Sequence, residues 1–276
     1  MSSLPPFLRA PALRAPAFLA GAAIVAFWVF CAAFGPMVVP YDPYNTNLLN
    51  TLGAPSAAHW FGTDQLGRDI FSRVLVGARA ILSIAPVATL LATLAGTVLG
   101  LIAGYTGGVL DAVLGRLIEV LLALPLIIVA LLALVALGPS TGTVIVVIAI
   151  IFTPLIARTV RAAVLGECAL DYVAAAQLRG ETALRIMFAE ILPNVLPPIL
   201  VETTVRLGYA IFTVASLSFL GFGIQPPSAD WGLSISENYG LITGGYWWTV
   251  AFAAGATASL VVGVNLVADG LQGALE

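Results

Sequence analysis

Residues 170–194 read LDYVAAAQLRGETALRIMFAEILPN and lie between two long apolar runs. The stretch carries five charges of its own: Asp171, Arg179, Glu181, Arg185 and Glu190. Its pattern predicts two short helices, Leu170–Leu178 and Thr182–Leu192, broken at Gly180. Ala174, Ala175 and Ala176 favour helix and add little bulk. Gly180 can take the left-handed conformation that closes a helix. Thr182 is placed to cap the second helix with its side-chain oxygen, and Pro193 is expected to stop it. Two readings fit such a bent, small-surfaced knuckle. It is either an ordinary loop between spans or a surface that another protein approaches closely.

The rest of the composition fixes the medium. Of 276 residues, 60% are hydrophobic and 9% charged, against roughly 25% charged in soluble domains. Mean hydropathy is +1.05. A soluble fold of this length cannot hide so much apolar surface, so the chain reads as an all-α polytopic membrane protein. Its eleven basic residues are all arginine, and the net charge is −3. No basic run points to nucleic acid. Cys31 and Cys168 fall at different depths and are not expected to pair. His59 is the sole histidine, and no metal-ligand spacing occurs.

Six spans of about 20 apolar residues follow along the chain. Residues 1–16 form a short tail containing Arg9 and Arg14, expected in the cytoplasm. Residues 17–39 form the first span, longer than a signal core and lacking a clear small-x-small cleavage site. Residues 40–79 form an extracytoplasmic loop that ends in an interfacial helix from Ile70, where Phe71, Val74 and Leu75 recur at helical spacing. A solvated loop with local ion pairs is the competing reading. Residues 80–276 form a five-helix core. Its second span, Ile81–Gly104, carries Gly96, Gly100 and Gly104 on one face, suited to close helix packing. The third span, Ala112–Leu137, bends at Pro125, and the fourth is Thr143–Val164. The connecting segment 166–194 precedes a fifth span, Val195–Gly221. Phe222–Tyr246 reads as a second wet loop, and Trp247–Asp269 is the sixth span.

Orientation follows from the arginines. An inside N-terminus puts Arg9, Arg14, Arg116, Arg158, Arg161, Arg179 and Arg185 in the cytoplasm and leaves Arg68, Arg73 and Arg79 outside. Seven against three favours this arrangement, with both termini and the knuckle in the cytoplasm.

Three functional classes are weighed by what they need. A G-x-x-x-x-G-K-[ST] nucleotide loop is excluded because the chain has no lysine. A hydrolase needs a nucleophile beside its base, and none is evident. An ion-coupled transporter needs buried carboxylates or an inverted repeat, and neither is found. Only Glu202 and Arg206 stand out inside a span, one helical turn apart. They are read either as lining the translocation path or as a structural ion pair.

Several strings sharpen the reading. Asp171-Tyr172-Val173-x-Ala175-Ala176, Gly180 and Ile191-Leu192-Pro193-Asn194 resemble the signature loop of ABC-importer permeases. From Phe61 to Arg79, F-G-T-D-x-x-G-R-D-x-x-S-R-x-x-x-G-x-R is similar to the segment before the second span in C-type permeases of peptide and nickel importers. Tyr105, Gly107, Gly108, Asp111, Arg116, Glu119 and Pro125 follow the same family's spacing, as does Leu217–Pro227 with Trp231-Gly232. This chain has Arg179 where the family more often has an apolar residue, and Val214-Ala215 where it usually has Glu-Ala.

The resemblance implies a type I ABC importer permease in a bacterial inner (plasma) membrane, with a cytoplasmic coupling helix and no catalysis of its own. It implies di- or oligopeptides as cargo, with nickel chelates or glutathione-like solutes as the alternative. Its implied partners are the lipid bilayer, a second (B-type) permease, two cytoplasmic ATPases that use ATP and Mg, and an extracytoplasmic solute-binding protein. The implied ATPase-coupling residues are Asp171, Tyr172, Ala175, Ala176, Gly180, Arg185, Leu192 and Pro193. No cofactor is expected on this chain.

Overall fold

A computed structural model describes residues 14–275; the expected tail, with Arg9, lies almost wholly outside the described residues. Those residues form nine α-helices longer than a turn, a 3-10 helix at Tyr239–Gly244 and no strand. Five are long and apolar enough to cross a membrane: α1 (Pro16–Val38), α2 (Ile70–Thr106), α5 (Thr141–Cys168), α7 (Ala183–Phe219) and α9 (Trp248–Leu275). The expected third span is a broken pair, α3 (Gly108–Leu122) and α4 (Leu126–Leu137), bent by 88°. Pro125 is the N-cap of α4, where its missing N–H costs nothing and its ring prevents α3 from continuing. Counted as one span, the pair gives the sixth crossing. Two short helices, α6 (Asp171–Leu178) and α8 (Trp231–Asn238), lie at opposite ends of the bundle.

Glycine spacing decides the packing. A Cβ built on Gly96, Gly100 or Gly104 of α2 would lie 2.6–2.8 Å from the Cβ of Ile156, Val160 or Val164 on α5. Three missing side chains, one per turn, thus receive three β-branched residues at the same four-residue interval. The two backbones approach closely without a hydrophobic driving force, which lipid cannot supply. Gly21 of α1 meets the Gly263 carbonyl of α9 in the same way. Higher on that seam, Trp28 Nε1 donates to Ser259 Oγ at 2.9 Å.

Several expectations need correction. No separate interfacial helix exists within residues 40–79, because residues 70–79 are the first turns of α2. Ile70, Val74, Leu75 and Val76 are buried in the fold rather than laid on a lipid surface. Asp69 caps this helix, accepting from Ser72 N at 2.8 Å. Nor is Phe222–Tyr246 simply a wet loop. Asp230 and Trp231 are fully buried, and Trp231 Nε1 donates to the Val74 carbonyl at 2.8 Å. A Cβ at Gly77 would fall 2.6 Å from the Trp231 ring, so the indole lies directly on the α2 backbone.

Pro193 does not stop a helix either. The chain runs without a break from Ala183 to Phe219, but residues Ile186–Ile191 form a π-helical segment. Leu192 N–H bonds to the Met187 carbonyl, five residues back. The widened turn leaves room for the proline ring, and the hydrogen bond that proline cannot make falls where the register changes anyway. Asn194 Nδ2 donates to the Glu190 carbonyl at 3.0 Å, satisfying one freed group.

Candidate functional site

The segment 170–194 folds as a compact elbow. Helix α6 ends in a Schellman closure: Gly180 N–H bonds to the Gln177 carbonyl at 2.9 Å and Glu181 N–H to the Ala176 carbonyl at 3.3 Å. Gly180 has φ of +77°, the conformation that side chains rarely adopt. Thr182 then caps α7, its hydroxyl accepting from Arg185 N at 3.4 Å.

Within the elbow each candidate coupling residue has a distinct place. Val173 and Ala176 turn inward and are buried, while Ala174 and Ala175 are exposed. Asp171 sits in the first turn of α6, where the helix dipole favours an acid. Tyr172 is half-buried and its hydroxyl donates to Glu167 at 2.6 Å. Burial, then the bond to Glu167, pushes its phenol pKa up. Leu192 is half-buried and Pro193 exposed at the junction with the fifth span.

Arg179 finds a local use. It reaches Glu181 at 2.8 Å and Glu190 at 3.7 Å, and Arg185 reaches Glu181 at 3.4 Å. The arginine before the glycine therefore braces the two arms of the elbow against each other. These groups are partly exposed, so each pair contributes a fraction of a kcal/mol at most. Around them Leu178, Leu184 and Phe188 remain 89%, 66% and 46% exposed. The elbow thus leaves an uncovered apolar patch, with two exposed alanines, inside a charged rim.

Below the elbow, Arg161 of α5 grips Asp111 of α3 with two bonds, at 2.5 and 2.7 Å. Fifty residues separate the two, so neither helical spacing nor a local motif announces the pair. Glu202 and Arg206 do pair, Nε to Oε1 at 2.6 Å, with most of each side chain shielded by the chain itself. The Arg206 guanidinium also lies 5.5 Å from the Tyr209 ring centre. Glu202 stands ten residues beyond Leu192, about 15 Å along α7, so the structure does not bring this pair to the elbow.

At the opposite end of the bundle is a second polar centre that the sequence reading missed. Arg68, 5% exposed, donates from Nε to Asp64 and from Nη2 to Glu237, both at 2.6 Å. Arg73, 3% exposed, donates to the carbonyls of Pro43 and Ser228 at 3.1 and 3.0 Å. His59 Nδ1 lies 2.8 Å from Asp69. Asp230 is a buried carboxylate whose Oδ1 accepts from Leu233 N at 2.8 Å; burial raises its pKa. These contacts fasten residues 43–73 to 228–238. The motif positions Asp64, Arg68 and Arg73 marked one half of the cluster. Its partner Glu237, 169 residues away from Arg68, carried no signal. Among the described residues no group of acids, histidines and cysteines could hold a metal.

Comparison with known proteins places these features. Residues 96–276 match a family described as binding-protein-dependent transport system inner membrane component. Residues 13–55 match the N-terminal transmembrane domain of oligopeptide transport permease C. The dipeptide transport system permease protein DppC of Escherichia coli (strain K12) is 41% identical over 263 residues, covering 93% of this chain and 87% of that protein. DppC of Bacillus subtilis (strain 168) is 39% identical over 258 residues, 94% of this chain and 81% of the relative. The oligopeptide transport system permease protein OppC of the same organism is 40% identical, covering 94% and 84%.

Proposed function

The chain belongs to the family of binding-protein-dependent transport system inner membrane components, and on that premise we propose that it carries di- or oligopeptides inward as one of two unlike permeases of an ABC importer. The relatives named for dipeptide and oligopeptide transport support this cargo. The observation that carries the mechanism is the elbow: exposed Ala174 and Ala175, exposed Leu178 and Leu184, and a chain reversal held at Gly180. A partner ATPase receives this surface in a cleft. When ATP and Mg bind there and the two ATPases close, the push enters at α6 and passes directly into α7, because no loop separates the elbow from the fifth span. The spans then tilt as rigid bodies and the central site changes the side it faces.

In this reading the bacterial inner membrane holds the chain with the elbow and both termini inside. The Asp64–Arg68–Glu237 cluster faces outward, toward a solute-binding protein. The chain hydrolyses nothing and holds no cofactor of its own. Asp171, Tyr172, Ala175, Ala176, Gly180, Arg185, Leu192 and Pro193 shape the contact with the ATPase, directly or by fixing the bend. Glu202 and Arg206 border the path that this permease shares with its B-type partner.

Substitution Ala175→Trp in the assembled transporter tests the elbow. Ala175 is exposed in the isolated chain, so the indole costs little in folding and falls on the docking surface. The ATPases should cease to co-purify, or co-purify without coupled uptake, while the two permeases still assemble. Unimpaired peptide uptake would defeat the assignment. For the path, the double substitution Glu202→Gln with Arg206→Gln keeps size and removes both charges. Slowed uptake with normal assembly supports the role, and unchanged uptake removes it.

A further inference from the structure

Beyond the transport path, a cleft of about 470 Å³ opens between the end of α1 and the first turns of α2. Its wall includes Pro36, Val39, Tyr41, Asp42, Tyr44 and Arg79. Arg79 is exposed and its guanidinium makes no ion pair or hydrogen bond to any described residue. That sets it apart from Arg68 and Arg73 on the same end of the bundle, which are buried and bound. Asp42 is exposed as well; its Oδ1 accepts from Tyr44 N at 2.9 Å, and it has no cationic partner among the described residues. The cleft thus presents one free cation, one free carboxylate and two tyrosines, and its size is that of small-molecule sites.

Its level in the membrane indicates the occupant. Arg79 precedes Thr106, the last residue of α2, by a helical rise of roughly 40 Å. A hydrocarbon layer of about 30 Å lies inside about 40–45 Å of bilayer, so Arg79 reaches the headgroup zone at the end away from the elbow. Helix α1 ends at the same height, with Met37 81% exposed and Phe27, Phe30 and Phe34 each half exposed. No described residue covers these side chains, so they are left to meet acyl chains. Tyr41 and Tyr44 are then interfacial aromatics.

We propose that this cleft binds the headgroup of a zwitterionic phospholipid, its phosphate on Arg79 and its ammonium on Asp42. Phosphatidylethanolamine fits, since its ammonium retains N–H donors for the carboxylate. The lipid would fill the cleft beside the close contact of Gly35 with Leu75 and Val76.

The test uses the complete transporter purified in detergent and stripped of lipid. Phosphatidylethanolamine, phosphatidylglycerol or inorganic phosphate is added, and bound lipid is counted by native mass spectrometry alongside the unfolding midpoint. Phosphatidylethanolamine should be retained and protective, phosphatidylglycerol less so, and inorganic phosphate ineffective. Arg79→Gln should weaken retention about fivefold, as expected for one arginine at a lipid surface, whereas Arg79→Lys keeps most of it. Asp42→Asn should erase only the preference for phosphatidylethanolamine over phosphatidylglycerol. Undiminished retention in Arg79→Gln, full protection by inorganic phosphate, or displacement of the lipid by a zwitterionic dipeptide would overturn the proposal.

Discussion

Gly180 offers a test in which strain and bulk predict different orders. Its φ of +77° is left-handed, and a Cβ placed there meets nothing within 4 Å. Inside this chain the penalty of substitution is therefore purely conformational. It amounts to about 1–2 kcal/mol for an ordinary L-residue, less for asparagine, and more for a β-branched one. With roughly 1.4 kcal/mol per factor of ten, alanine should reduce the correctly bent population about 5- to 30-fold relative to its opened forms. Uptake and substrate-stimulated ATP hydrolysis in proteoliposomes should then fall in the order glycine, asparagine, alanine, valine. If the position mattered only because the ATPase presses on it, size would rule. Alanine would then outperform asparagine. That inverted order, or full coupling in Gly180→Val, would refute the argument that the backbone bend is what transmits force.

Other outcomes follow from the packing and the charges. Gly100→Ala places a methyl 2.6 Å from Val160 Cβ and 2.8 Å from the Ala157 carbonyl, and should cost about 1–3 kcal/mol. Gly255→Ala, with open space around it, should be neutral when unfolding in detergent is compared. Asp64→Asn strips Arg68 of one buried partner and should destabilise by about 3–5 kcal/mol; removing the exposed Arg116–Glu119 pair should change stability by less than about 1 kcal/mol. Asp230 titrates above the usual carboxylate range because it is buried. A raised folded pKa means the native state holds its proton longer than the unfolded chain does. Its contribution to stability is greatest below the unfolded value and declines as pH rises through the folded one. Asp230→Asn should abolish that decline in pH-dependent melting, while an amide oxygen still caps α8.

The sequence revealed what is local and periodic. Gly96, Gly100 and Gly104 name their own packing face because a four-residue interval is visible in one dimension. The helix stop at Gly180 and the cap at Thr182 are equally short-range. Arg68–Glu237 and Asp111–Arg161 stayed hidden because each pair is made by tertiary folding across long stretches of chain. The segment around Trp231 looked wet for the same reason: Trp231, Ser228 and Glu237 find distant partners at Val74, Arg73 and Arg68. Pro193 misled more subtly. The rule that proline ends a helix assumes a regular 3.6-residue turn, and the Ile186–Ile191 segment suspends that assumption.

That segment has one more effect. A π-turn inserted in an α-helix accommodates a surplus residue, and each residue of an α-helix turns the chain by about 100°. The wider turn over Ile186–Ile191 absorbs the rotation that an extra residue would impose on a regular helix. Excising one residue there would return the segment to ordinary α-turns and keep the azimuth of Ala174 and Ala175, whereas the same excision in the regular part of the fifth span would swing them by roughly a quarter-turn.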